Sequence, residues 1–160
     1  RLKELIKAGA VVGMGSDGSC CGNQDLILGM RTAVNLQRVH NLSPTASNAE
    51  EVFELATVNG AKYAGIEAGQ IAPGKLADVV VINQEGHHSK PFNRALGSLV
   101  YNSSGWDVEM TIIGGEIVYD NGKFMNVDEI SIREEVQTRS DEMFERLGLE
   151  EYRMHWNKEP

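Results

Sequence analysis

The chain has 160 residues, 41% of them hydrophobic, with 15 Lys plus Arg against 23 Asp plus Glu for a formal net charge of -8. That is enough apolar material for one sizeable core, and by length one domain or one domain with an appendage. An acidic chain leaves no electrostatic footprint for nucleic acid. The longest undiluted aliphatic run, residues 79–82, is far short of the roughly 18 needed to cross a bilayer, so neither a nucleic-acid nor a membrane partner is expected.

The chain opens at Arg1 inside a helical pattern: Leu2, Leu5 and Ile6 recur at helical spacing and stop at Gly9. With no initiator Met and no signal peptide ahead of it, this start is expected to be a cut within something longer. Residues 10–14 then read as a short buried strand, broken by Gly13 and Gly15, and residues 13–23 as a glycine-rich loop. A helix is predicted over 25–40, with Leu26, Met30, Ala33, Val34 and Gln37 along one face. Helix, buried strand, loop and helix in that order are the unit of parallel α/β sheets and barrels.

After a turn at Leu42-Ser43-Pro44-Thr45, Ser47 or Asn48 can cap a further helix, since both stand three residues before a Glu. Val52, Leu55 and Ala56 supply its apolar stripe. Asn59-Gly60 either ends that helix or allows a continuing one to pack closely. From Gly65 the character changes to a turn-rich segment and then a β-branched strand over 77–83. Gly114-Gly115 and Asp120-Asn-Gly122 mark two tight turns in a small antiparallel layer. Ile132, Val136, Met143 and Leu147 mark an amphipathic helix over 128–147, followed by a polar tail.

The loop holds a decoy and a candidate. Gly13-Met-Gly15-Ser-Asp-Gly18 satisfies G-x-G-x-x-G, but several loop residues separate it from the helix. Asp17 would also face a diphosphate with like charge, so a nucleotide-phosphate reading is set aside. A carboxylate directly after a buried strand sits where parallel α/β folds carry their chemistry, and can serve as metal ligand or general base. It can equally cap a turn or the next helix. The local residues leave both open.

Four segments, in order, carry a resemblance. Ala10-Val-Val-Gly-Met-Gly-Ser-Asp-Gly18, with Met30-Arg31 and Leu36-Gln37 in the next helix, resembles the last strand and helix of amidohydrolase-superfamily barrels. The group is that of cytosine- and guanine-deaminase-like enzymes, methylthioadenosine/S-adenosylhomocysteine deaminases and triazine hydrolases. Ala56-Thr-Val-Asn-Gly-Ala-Lys62 resembles its following helix. Ile71-Ala-Pro-Gly-Lys-Leu-Ala-Asp-Val-Val-Val-Ile82 resembles the entry into its β-sandwich, and residues 108–123 the closing hairpin.

The resemblance implies an α/β fold: the C-terminal fragment of a metal-dependent hydrolase (β/α)8 TIM barrel plus part of the flanking composite β-sandwich. Residues 1–64 would be barrel and trailing helix, 65–126 sandwich with a segment packing back on the barrel, and 127–160 C-terminal helix and tail. Such a barrel takes about 250 residues, so the chain would be a minority of its parent. Asp17 matches the family's metal-ligating aspartate and proton shuttle on a divalent metal, zinc or iron. The substrate implied is a small heterocycle of purine, pyrimidine or triazine type, deaminated or dechlorinated, in a homo-oligomer. A non-catalytic assembly module is the rival from another class. Ser19, Cys20 and Cys21 would lie beside the substrate, with Cys21-Gly22 standing where many relatives have Ser-Asn.

No His-x-His is present, so the chain alone is expected to hold one metal ligand and to be inactive. His40, His87, His88 and His155 are expected to be surface or structural. Cys20-Cys21 lacks the C-x-x-C spacing of a zinc knuckle and offers no disulfide framework, which points to a reducing compartment and a cytoplasmic location. Lys75 is expected to be structural. Trp106 and residues 92–101 are expected to pack between sandwich and barrel.

Overall fold

Helix α2 (Leu26–His40) forms where the apolar spacing places it, and Asp25 starts it: one carboxylate oxygen accepts from the amides of Ile27 at 2.8 Å and Leu28 at 3.1 Å. Those amides belong to the first turn, where no carbonyl lies upstream to receive them. Met30 and Val34, one turn apart on the same face, are buried at 4% and 0% exposure. A computed structural model of the chain describes residues 1–18 and 22–149, and its contacts group into two units, Arg1–Lys123 and Phe124–Pro160.

In the first unit, α1 (Leu2–Lys7) ends ahead of Gly9, whose left-handed backbone (φ 83) turns the chain out of the helix. Beyond α2 come α3 (Ala49–Ala56), capped by the Asn48 side chain on the Glu51 amide at 2.9 Å, and α4 (Val58–Ala64). The two are separated at Thr57 (φ -122, ψ -90), two residues before Asn59-Gly60. Asn59-Gly60 therefore neither ends α3 nor sits in an unbroken continuation of it; it lies inside the separate helix α4, where Gly60 allows a close approach.

The core gathers Met30, Val34, Ala49, Val52, Leu55 and Val100. Val100 comes from α5 (Ala95–Asn102), a helix that packs on both α2 and α3. Two arginines of α2 hold it there. Arg31 donates to the carbonyls of Val100, at 3.0 Å, and Ser103; these lie near the C-terminal end of α5, where helix carbonyls lack intrahelical partners. Arg38 donates to the Tyr101 hydroxyl at 2.8 Å and to the Ser47 carbonyl at 3.1 Å, with its guanidinium 5.3 Å from the Tyr101 ring centre.

Four strands follow in the order β1-β2-β3-β4: β1 (Val79–Ile82), β2 (Val108–Ile113), β3 (Glu116–Asp120) and β4 (Lys123–Phe124). β1 and β3 both pair antiparallel with β2, with Val80 and Tyr119 on either side of Thr111. Gly114 and Gly115, at φ 59 and 87, make the β2–β3 turn, and two positive φ angles in succession are what a two-residue hairpin with the native twist requires. Apolar side chains stand exposed on this sheet, Val80 at 53% and Ile113 at 56%.

The second unit contains α6 (Glu129–Leu147), capped by Asp128 on the Ser131 amide at 3.1 Å and closed by Gly148 in the left-handed region. It buries none of its residues. Among the described residues, no helix is long and apolar enough to cross a membrane.

Two expectations are corrected. Residues 10–14 run without strand pairing, Val12 and Met14 half-buried and Val11 exposed. A strand exists only where neighbouring backbone completes its ladder; here the Met14 amide donates instead to the Leu55 carbonyl at 3.0 Å. Trp106, expected to pack between layers, is 97% exposed. It lies in the short 3-10 turn Gly105–Asp107, whose ends are tied down by the reciprocal Ser104–Asp107 cap and by Gly105, leaving the indole outside.

Candidate functional site

The loop that carries Asp17 is anchored at both ends. Upstream, Gly13 lies against α4: a Cβ built on it would stand 3.2 Å from the Gly60 Cα, closer than carbon atoms normally approach. Two glycines from separate segments therefore meet backbone to backbone, and Met14 adds its amide bond to Leu55. Downstream, the Asn23 side-chain oxygen accepts from the Asp25 amide at 2.8 Å. The carboxylate of Asp25 divides its oxygens: Oδ1 caps α2, and Oδ2 accepts from the Gly105 amide at 2.7 Å. The helix start is thereby tied to the 3-10 turn ahead of β2.

Between these anchors the Ser16 hydroxyl donates to Gln24 Oε1 at 2.7 Å, joining the two arms across eight residues. Asp17 itself is exposed and adopts φ 62, the left-handed region that a non-glycine residue enters at a cost of roughly 1 kcal/mol or more. Asp tolerates that region better than most residues. Its carboxylate makes no hydrogen bond to another described residue. An anionic oxygen donor is thus presented outward on a short loop fastened at either end.

The other predicted residues are placed as follows. Ser19, Cys20 and Cys21 lie outside the described residues. His40 ends α2, exposed; His87 is exposed in a 3-10 turn (His87–Ser89). His88 stands beside it with Nε2 2.9 Å from Asp107 Oδ1, joining that turn to the one before β2. His155 lies outside the described residues. Lys75 pairs with Glu67 across the 68–75 turn, and this hydrogen bond, with the lysine's charge, holds the Glu67 carboxyl below its usual range. Of the described ones, none of His40, His87, His88 and Lys75 bonds to Asp17, and among the described residues no group of three or more His, Cys, Asp or Glu could hold a metal ion. Sequence reasoning missed Gln24 and the second contact of Asp25. The Asn-x-Asp pattern ahead of an apolar run could have flagged a cap, but nothing local points to Gly105, 80 residues away.

Comparison with known proteins gives this loop its setting. The amidohydrolase family pattern matches residues 1–118. The chain is 45% identical over 118 residues to a 5-methylthioadenosine/S-adenosylhomocysteine deaminase of Thermococcus onnurineus, covering 73% of the chain and 28% of that protein. It is 39% identical over 143 residues to a 5'-deoxyadenosine deaminase of Methanothermobacter thermautotrophicus, covering 89% and 34%. The fold superposes with TM-score 0.80 on a crystal structure of an adenosine deaminase from Xanthomonas campestris with bound zinc, at 25% identity, covering 86% of this chain and 32% of that one. The chain belongs to the amidohydrolase family, and it spans about a third of the length of these relatives.

Proposed function

We propose that the protein of which these residues form part is a metal-dependent hydrolase that deaminates a heterocyclic ring, with Asp17 as a metal ligand and proton shuttle. The observation that carries this reading is the placement of Asp17: exposed, at φ 62, on a loop anchored on both sides, in a chain similar to deaminases of adenosine-type nucleosides. Among the ring classes, a purine nucleoside derivative is favoured over a pyrimidine or triazine, because both deaminases above act on adenosine derivatives by name.

A carboxylate without a partner among the described residues suits one oxygen position on a divalent ion, zinc or iron; the remaining ligands belong to the rest of the parent. Such an ion, when bound, supplies a water acidic enough to ionise near neutral pH. Asp17 accepts the proton of that water and passes it to the departing amine, general base first and general acid second. A carbon–oxygen bond forms at the ring carbon, the bond from that carbon to its exocyclic amino nitrogen breaks, and ammonia leaves with the transferred proton. Residues 1–64 would then close the barrel, 65–126 contribute part of a sandwich and 127–160 a C-terminal helix and tail. The exposed apolar side chains of the sheet, Val80 and Ile113, support a second layer over it. A cytoplasmic homo-oligomer completes the reading.

The test is Asp17→Asn in the full-length protein, assayed for ammonia release from nucleosides, nucleobases and triazines. Loss of the shuttle is expected to lower turnover by about 100- to 10,000-fold, with unfolding free energy changed by about 0–2 kcal/mol, the range of a lost cap. Turnover like that of the wild type would end the proposal.

A further inference from the structure

We propose that Gln24 is a positioning residue for Asp17, acting through Ser16, an inference that rests on the reading of Asp17 given above. Asp17 has to keep one orientation although its backbone is in a costly region and its loop is rich in glycine, the residue with the most freedom to lose. Strain of this kind persists only where the surroundings over-determine it. The anchors at Gly13 and Asp25 locate the two arms of the loop, but neither bonds to Ser16 or Asp17.

The bond from Ser16 to Gln24 supplies the missing constraint. Ser16 is covalently next to Asp17, and Gln24 is next to Asp25, whose own carboxylate is committed to the start of α2 and to Gly105. Rigidity therefore passes from the helix N-terminus through Asp25 and Gln24 into Ser16, and from there to the peptide that orients Asp17. An exposed hydrogen bond adds little to global stability, so this bond matters for geometry rather than for folding. Groups hydrogen-bonded to a metal ligand typically change metal affinity or activity by about 10–100-fold when removed, and Gln24, which reaches Asp17 through Ser16, is held to the same range.

The experiment uses the full-length protein and zinc, with affinity read by competition against a chelating dye and the site's geometry by the visible spectrum of the cobalt-loaded form. Gln24→Met keeps the length of the side chain and removes the acceptor; it is expected to weaken zinc binding by about 10–100-fold and alter the cobalt bands, with kcat falling more than KM rises. Gln24→Glu keeps an acceptor oxygen for Ser16 and is expected to restore most of the loss. Ser16→Ala is expected to match Gln24→Met, and the double variant to add nothing to either, as two partners in one bond require. If Asp17→Asn weakens zinc binding while Gln24→Met and Ser16→Ala leave it unchanged, the positioning role is overturned and the assignment of Asp17 stands. Failure of Gln24→Glu to restore binding also overturns it. If Asp17→Asn leaves zinc binding unchanged, the assignment of Asp17 falls and the positioning role falls with it.

Discussion

Helices α2 and α6 are written in the same way and end up in different surroundings. Each starts on an aspartate that caps it, Asp25 or Asp128, and each carries apolar residues at helical spacing. α2 buries Met30 and Val34 against α3 and α5, whereas α6 buries nothing and leaves Val136 at 63% and Leu147 at 56% exposure. The caps differ in the same sense. Asp25 holds its own helix and a turn 80 residues away, while among the described residues Asp128 holds only its first turn. Periodicity and capping thus specify a helix; what the helix does is decided by what reaches its face.

The strongest way to break this comparison is to truncate matching stripe positions in the full-length protein. Met30→Ala is expected to cost about 2–5 kcal/mol in urea unfolding, the range for emptying a closed core position. Val136→Ala is expected to stay within about 0.5 kcal/mol, as at exposed positions. A cost for Val136→Ala approaching that of Met30→Ala would show that the α6 stripe is covered in the whole protein, and the contrast would dissolve. A smaller difference is expected between the caps. Asp25→Ala should cost about 2 kcal/mol, at the upper end for a lost N-cap, because the Gly105 amide loses its partner too. Asp128→Ala should cost about 0.5 kcal/mol, as at an exposed helix start. Equal losses would show that the second contact of Asp25 contributes nothing.

The smallest effect sharpens the surface side. Glu67 titrates below the ordinary carboxyl range because Lys75 donates to it and carries the opposite charge. The stability this pair adds is present above the unfolded-state pKa of the glutamate and is lost as pH falls through the lower folded value. Lys75→Met is expected to return the Glu67 titration, followed by NMR, to the normal range and to remove that contribution. A titration unmoved by the substitution would show that Lys75 is not its cause.

The parts of the fold that rest on short-range chemistry were legible in the residues. Asp25 and Asp128 as helix starts, Gly114-Gly115 as a hairpin turn and the stripes of α2 and α6 follow from unsatisfied amides, positive φ and a 3.6-residue period. Asp17 as a candidate rests on another kind of signal, its place after an apolar run and its resemblance to a family pattern. Residues 10–14 read as a strand because β-branched and apolar residues suit one, yet pairing needs a neighbouring backbone that their sequence does not contain.

The sequence by itself determined the helices α1, α2, α3 and α6 and the hairpin turn at Gly114-Gly115, and that a carboxylate stands within a glycine-rich loop; α5 was not legible in it. Tertiary structure decided the rest. Gly13 meets Gly60, Arg31 reaches the end of α5, Asp25 reaches Gly105, and Ser16 finds Gln24 across the loop. Each of these contacts joins residues that no helical or strand period brings together. They form only when packing has brought distant backbone within 3 Å or so, the range in which a hydrogen bond or a missing Cβ decides the outcome.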